Sequence, residues 1–164
     1  MAMTRSAARE IAVHFIFELG FTDLDADTLL ARDLTPETFA QFAPEEPLYA
    51  QFPDEEQAAY ITGLVRGVYA HGAELDGYIA QYAKGWRFAR IDRVAAAIMR
   101  LAMYEILYMP EIPNGAAINE AVEIAKHYET PETVKFINGI LGSFSRQELP
   151  AETGKPAAEG AAES

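Results

Sequence analysis

The sequence predicts an all-α fold, and three observations carry that prediction. Apolar residues recur at helical spacing in segment after segment, several of these segments open on a Thr or Asp cap, and none alternates apolar and polar residues as a half-buried strand would. No internal repeat suggests a solenoid. With the first helix starting at Thr4 and advancing about 100° per residue, Ala8, Ile11, Ala12, Phe15 and Leu19 form one apolar face. Arg5, Arg9, Val13 and Phe17 form a second stripe. Arg5 falls in the first turn, where the helix dipole disfavours a cation by roughly 0.3–1 kcal/mol. A compensating contact is therefore expected for it.

Between 20 and 53, Gly20, Pro36, Pro44, Pro47 and Pro53 punctuate the chain, which implies short helices and turns in place of one long element. "TPETFAQF" from Thr35 has a capping Thr and a proline at the first helical position, so a short helix is expected there. Asp54 with Gln57 resembles a capping box. The helix it opens runs to about His71 with Ile61, Leu64, Val65 and Val68 on one face, and Gly72 separates it from a helix carrying Leu75, Tyr78, Ile79 and Tyr82 that breaks at "AKGW". From about Phe88 to Tyr108, Ile91, Val94, Ala95, Ile98, Leu101 and Ala102 mark a core helix, ended by "MPEIPNG". Ile118, Ala121, Val122 and Ala125 define a helix over Ala117 to Tyr128. "ETPETV" then stops and restarts the chain, with Thr130 as cap and Pro131 at the first helical position, before Val134, Ile137, Leu141 and Phe144. Residues 147–164 are small, polar and aperiodic, and read as a disordered acidic tail beyond a single domain of 1–146.

Half the residues are hydrophobic, enough for a core in one domain of this length. No apolar run approaches the ~20 residues of a membrane span and no signal-peptide core is present, so a soluble cytoplasmic protein without membrane partners is expected. The absence of cysteine excludes disulfides, thiolate metal sites and a cysteine nucleophile. A net charge of −12 argues against nucleic acid until its distribution is considered. Residues 18–59 hold eleven acids against Arg32 alone, the tail from Gln147 is also acidic, and the remaining helical body is close to neutral.

The chain offers little for catalysis. His14, His71 and His127 are scattered singlets without zinc-ligand spacing, and His14, four residues from Glu10 and Glu18, reads as ordinary surface pairing. Glu120, Glu123 and His127 read as a solvated face, and "GLVRG" lacks the Lys and Ser/Thr of a phosphate loop. No enzyme activity, metal or cofactor is expected. The cationic features are more informative. Lys84, Arg87, Arg90, Arg93 and Arg100 crowd a segment with only Asp92 opposing them, which reads most simply as the wet side of a core helix. Lys135 and Phe136 lie just inside the final helix, whose N-terminus suits a phosphate, with Glu132 opposing it. The Arg5, Arg9 and Phe17 stripe suits single-stranded RNA, with guanidinium groups on the backbone and a ring stacking on a base. Burial of Phe17 against the 20–53 segment is the equal alternative.

The C-terminal half carries a family resemblance. "RLAMYEI", then "IP" and "AINEAVEIAK", then "KFINGIL", in that order within residues 98–141, resemble the NusB transcription antitermination family. "RSAAREIAVHFIF" is similar to that family's arginine-rich first helix. The resemblance covers Arg5 to Leu19 and about Glu55 to Phe144. It implies two small helical bundles packed across one another. It also implies binding of boxA-type RNA together with the ribosomal protein NusE, within an RNA polymerase antitermination complex on ribosomal RNA operons. By the same resemblance, Arg5, Arg9 and Phe17 match the RNA-binding helix, and Glu132, Lys135 and Phe136 surround the "KF" that lies near RNA. Tyr104, Glu105, Asn119, Glu120 and Asn138 match signature positions expected to be structural. Ser6 and Ala7 stand where relatives often carry further arginines, and the 20–53 segment is longer and more acidic than the family's usual connection.

Together these features predict an adaptor in which a short cationic and aromatic track on this chain shares RNA with a basic partner, the acidic segment steering that partner in. Phosphate contacts by Arg5, Arg9 and Lys135 imply a salt slope of about −2 from this chain. The alternative function is a protein-interaction module of the same fold that has lost RNA binding. A helical domain of this type also occurs in ribosomal RNA cytosine methyltransferases, but the expected tail after Phe144 has no room for their nucleotide-binding domain. A DNA-binding helix-turn-helix is disfavoured by the lack of a separate basic recognition helix. Both monomer and homodimer fit the sequence.

Overall fold

Capping chemistry sets where the helices begin. In a computed structural model of the chain, described for residues 3–84 and 91–149, Thr4 has extended backbone and its Oγ1 accepts the Ala7 N–H at 3.0 Å, opening α1, Arg5–Leu19. Asp25 does the same for α2, Ala26–Asp33, and Thr35 for α3, Pro36–Phe42. A single 3-10 turn, Pro47–Tyr49, follows. Asp54 accepts the Gln57 N–H at 2.9 Å at the head of α4, Glu55–Ala70. These belong to one compact unit, Met1–Ala70, in which α4 packs on α1 and α2 packs on both.

The second unit, His71–Ser164, contains α5 (Gly72–Ala83), α6 (Arg93–Tyr108), α7 (Asn114–Ala125) and α8 (Pro131–Glu148). The long helix α6 touches α5, α7 and α8, which is why its buried residues extend around more than one face. Three consecutive alanines, Ala95, Ala96 and Ala97, are buried there, and small side chains let neighbouring backbones approach. Among the described residues every regular element is helical, as the sequence predicts.

Several details differ from the sequence reading. The core helix expected from Phe88 starts at Arg93, because Asp92 is its cap, accepting the Ala95 N–H at 2.7 Å; Ile91 is consequently exposed. Gly72 begins α5, with His71 as the residue before it. The helix expected from Ala117 starts at Asn114, immediately after Pro113. Gln147 and Glu148, assigned to the tail, complete α8, where Tyr82 donates to Glu148 at 2.5 Å. The remainder of the expected tail, and Arg87 and Arg90 of the cationic cluster, lie outside the described residues. Glu105 is fully buried, as a structural role requires, whereas Asn119 and Asn138 are exposed. His14 is half-buried and meets the Tyr49 hydroxyl at 2.9 Å; burial holds its pKa below the ordinary imidazole value.

Candidate nucleic-acid interface

In the Met1–Ala70 unit the candidate residues are positioned by α1 lying against α4. Arg5 is held at the head of α1 by two residues of the facing helix: its Nε donates to Gln57 Oε1 at 2.9 Å, and its guanidinium carbon sits 3.9 Å from the centroid of the Tyr60 ring. A third contact, to Glu56 at 3.3 Å, is at the surface. These contacts answer the unfavourable placement of a cation in a first turn. A guanidinium on an aromatic face gains about 0.5–1 kcal/mol when exposed and more when dry, enough to offset the dipole. The side chain remains 41% exposed, so it can still reach a ligand.

Arg9 is one turn further along and differs sharply. It is only 5% exposed, and its guanidinium carbon lies 5.6 Å from the same Tyr60 ring. Val13, next in the stripe, is also buried. The stripe is thus no continuous solvent face, because α2 and α4 both pack on α1 and widen its buried arc beyond a single apolar face. Phe17 is half-buried, and its ring meets that of Phe21 at 4.9 Å with a 59° tilt. Phe21 is 60% exposed and is the aromatic surface actually presented at this end of α1. Phe17 lies twelve positions after Arg5, about 18 Å along the helix.

Below Phe17 the acids organise themselves. Arg32 pairs with Glu18 and, at 2.8 Å, with Asp33. Burial and the adjacent Asp33 carboxylate push the Glu18 carboxyl up to about 7. Burial also opposes ionisation of Asp33, but hydrogen bonds from Arg32 and Glu18 outweigh it and hold its pKa below the usual range.

The second group of predicted residues belongs to the His71–Ser164 unit. Thr130 caps α8, its Oγ1 accepting the Thr133 N–H at 3.2 Å. Glu132 and Lys135 are exposed, three residues apart on one side of the first turns, while Phe136 is buried at 4% and anchors the helix. Lys135 and Glu132 are therefore the groups here that meet solvent. By contrast Arg100 is tied to Asp76 at 2.6 Å and Lys126 to Glu123 at 2.9 Å. No group of three or more His, Asp or Glu side chains suited to a metal occurs among the described residues, and no helix there is long and apolar enough to cross a membrane.

Tyr60, Gln57 and Phe21 are absent from the sequence-based set. Tyr60 lies at the edge of the α4 apolar face, four residues before Leu64, and its pairing with Arg5 depends on how α4 crosses α1. Phe21 follows Gly20, past the end of the periodic pattern that selected Phe17.

Comparison with known proteins is consistent along most of the chain. The family model described as the NusB family matches residues 6–146. A transcription antitermination protein NusB of Symbiobacterium thermophilum is 42% identical over 144 residues, covering 88% of this chain and 90% of that protein. Its counterpart in Acetivibrio thermocellus is 38% identical over 152 residues, covering 93% and 95%. The solved structure of T. maritima NusB superposes with a TM-score of 0.74 at 28% identity, covering 93% of this chain and 98% of that one.

Proposed function

The chain belongs to the NusB family of transcription antitermination proteins, and from that premise we propose that it binds boxA-type single-stranded RNA jointly with the ribosomal protein NusE. Its relatives are named for antitermination and not for an enzymatic activity. The proposed setting is the cytoplasmic RNA polymerase complex that transcribes ribosomal RNA operons.

The observation that carries the RNA assignment is Arg5, a partly exposed guanidinium held in a fixed pose over Tyr60. A planar, pre-oriented fork loses less entropy on meeting a phosphate than a free surface cation does. In this reading Arg5 and Lys135 contact phosphates. Arg9, nearly buried, shares the Tyr60 ring and acts on RNA through the pose of that ring and of Arg5. The Phe17 and Phe21 pair offers a stacking surface for a base. Phe136 fixes the start of α8, and Glu132 beside Lys135 disfavours phosphate in the wrong register. Two direct contacts in place of three reduce this chain's salt slope from about −2 to about −1.4.

Most of the phosphate neutralisation then falls to the basic partner, consistent with a net charge of −12 on this chain. Charge reversal tests the assignment. Arg5→Glu should abolish the contribution of this chain to RNA affinity while leaving NusE binding intact. Unchanged RNA affinity would place the RNA surface elsewhere, or return the chain to an interaction module without RNA binding.

A further inference from the structure

The acidic 20–53 segment, expected to steer a basic partner in, also forms a surface feature of its own, away from Arg5 and Lys135 in the chain. Helix α3 and the turn after it flank an open cleft of about 510 Å³ lined by Pro36, Phe39, Ala40, Pro44, Tyr49 and Phe52. That volume falls within the roughly 300–1,000 Å³ typical of ligand pockets. Its walls are aromatic rings packed edge to face, Phe39 meeting Tyr49 at 4.8 Å and Phe52 at 5.0 Å. Phe39 and Tyr49 are buried and form the floor, Phe52 is 37% exposed, and the exposed Phe42 ring lies 5.9 Å from that of Tyr49.

Acids predominate along the chain that forms this cleft, with Arg32, paired to Glu18 and Asp33, at the edge of the segment. No lysine or arginine occurs between Asp33 and Val65, while Glu37 adjoins Pro36, Glu45 and Glu46 follow Pro44, and Asp54 and Glu55 follow Phe52. Glu37, Glu45 and Glu55 are exposed. Burial, and then the carboxylates of Asp33, Glu18, Glu46 and Glu10, raise the pKa of the Tyr49 hydroxyl. Asp33 and Glu18 are held by Arg32, which leaves Glu46 and the exposed Glu37, Glu45 and Glu55 as the acids available to a ligand.

We propose that this cleft docks a basic segment of a partner protein, with lysine or arginine flanking a proline or leucine anchor. The aromatic and proline lining accepts an extended, proline-containing chain, and the acids pair with its flanking cations. Nucleic acid does not fit, because its phosphates would face unneutralised carboxylates. A two-fold contact with a second copy would set the same acids against each other.

The test uses the full-length ¹⁵N-labelled protein and a synthetic peptide, Lys-Arg-Leu-Pro-Pro-Leu-Arg-Lys. Two control peptides replace its cations by glutamate or its apolar residues by serine. The expected result is amide shifts confined to residues around 36–52, saturable with the basic apolar peptide and weaker by about tenfold or more with either control. Glu37→Lys with Glu45→Lys, both at exposed positions, should weaken binding by about tenfold. Ala40→Arg, exposed on α3 at the cleft, should block it while RNA affinity stays unchanged. Shifts elsewhere, equal binding of either control peptide, a parallel loss of RNA affinity in Ala40→Arg, or a dimer that this variant dissociates would each overturn the proposal.

Discussion

Replacing Arg5 by alanine tests whether the α4 shelf, and not chance, keeps a cation at the head of α1. The loss of the Tyr60 contact costs about 0.5–1 kcal/mol at this partial exposure. Gln57, 9% exposed, loses the donor to its Oε1, which costs about 1 kcal/mol. The Glu56 pair, with Glu56 78% exposed, contributes nothing appreciable. Removing the unfavourable dipole interaction returns about 0.3–1 kcal/mol. The net expectation is a destabilisation of about 1 kcal/mol. Urea denaturation followed by circular dichroism reads this as a midpoint lowered by about 0.5 M for a slope near 2 kcal/mol/M. An unchanged or raised midpoint would mean that dipole relief dominates and that Tyr60 and Gln57 do not hold Arg5 in place.

Leu101→Ala, at a nearly fully buried site in α6, should cost about 2–5 kcal/mol in the same assay. A loss below about 1 kcal/mol would show that α6 is not central to its unit. Glu18 titrates near 7, raised by burial and then by Asp33, so its contribution to stability is full below its unfolded value near 4.5 and is lost as pH climbs through about 7. In Glu18→Gln, the loss of stability between pH 5 and pH 8 should therefore be smaller; an unaltered pH profile would refute the assignment. Burial and the neighbouring Asp92 likewise push Glu129 up to about 7. Asp92→Ser, which keeps a capping oxygen at α6, should lower the Glu129 pKa seen by carboxyl NMR with little loss of stability. A pKa that stays near 7 would leave burial alone as the cause.

Local chemistry made most of the fold legible. Thr4, Thr35, Asp54 and Thr130 each announced a helix start, and each side chain accepts the expected backbone N–H. Asp92 was visible too, but as an isolated acid among arginines it resembled a counter-charge more than a cap. The site was legible only in part, because periodicity says which residues share a face and not what covers that face. Arg5 and Arg9 look equivalent at i and i+4, yet one is partly exposed and the other buried. Lys135 and Phe136 are adjacent in sequence and divide in the same way, the cation outward and the ring inward. Tyr60 gains its role only through a contact 55 residues from Arg5 along the chain. The His14 contact with Tyr49 is likewise nonlocal.

The proposed RNA binding depends on this chain and NusE acting together. Fluorescence anisotropy of a labelled boxA-like RNA, titrated with this protein alone, with NusE alone and with both, measures it directly. The expected result is weak binding by either protein, tight sequence-dependent binding by the pair, and loss of that gain in Arg5→Glu. Partner binding with no gain in RNA affinity over NusE alone would contradict it.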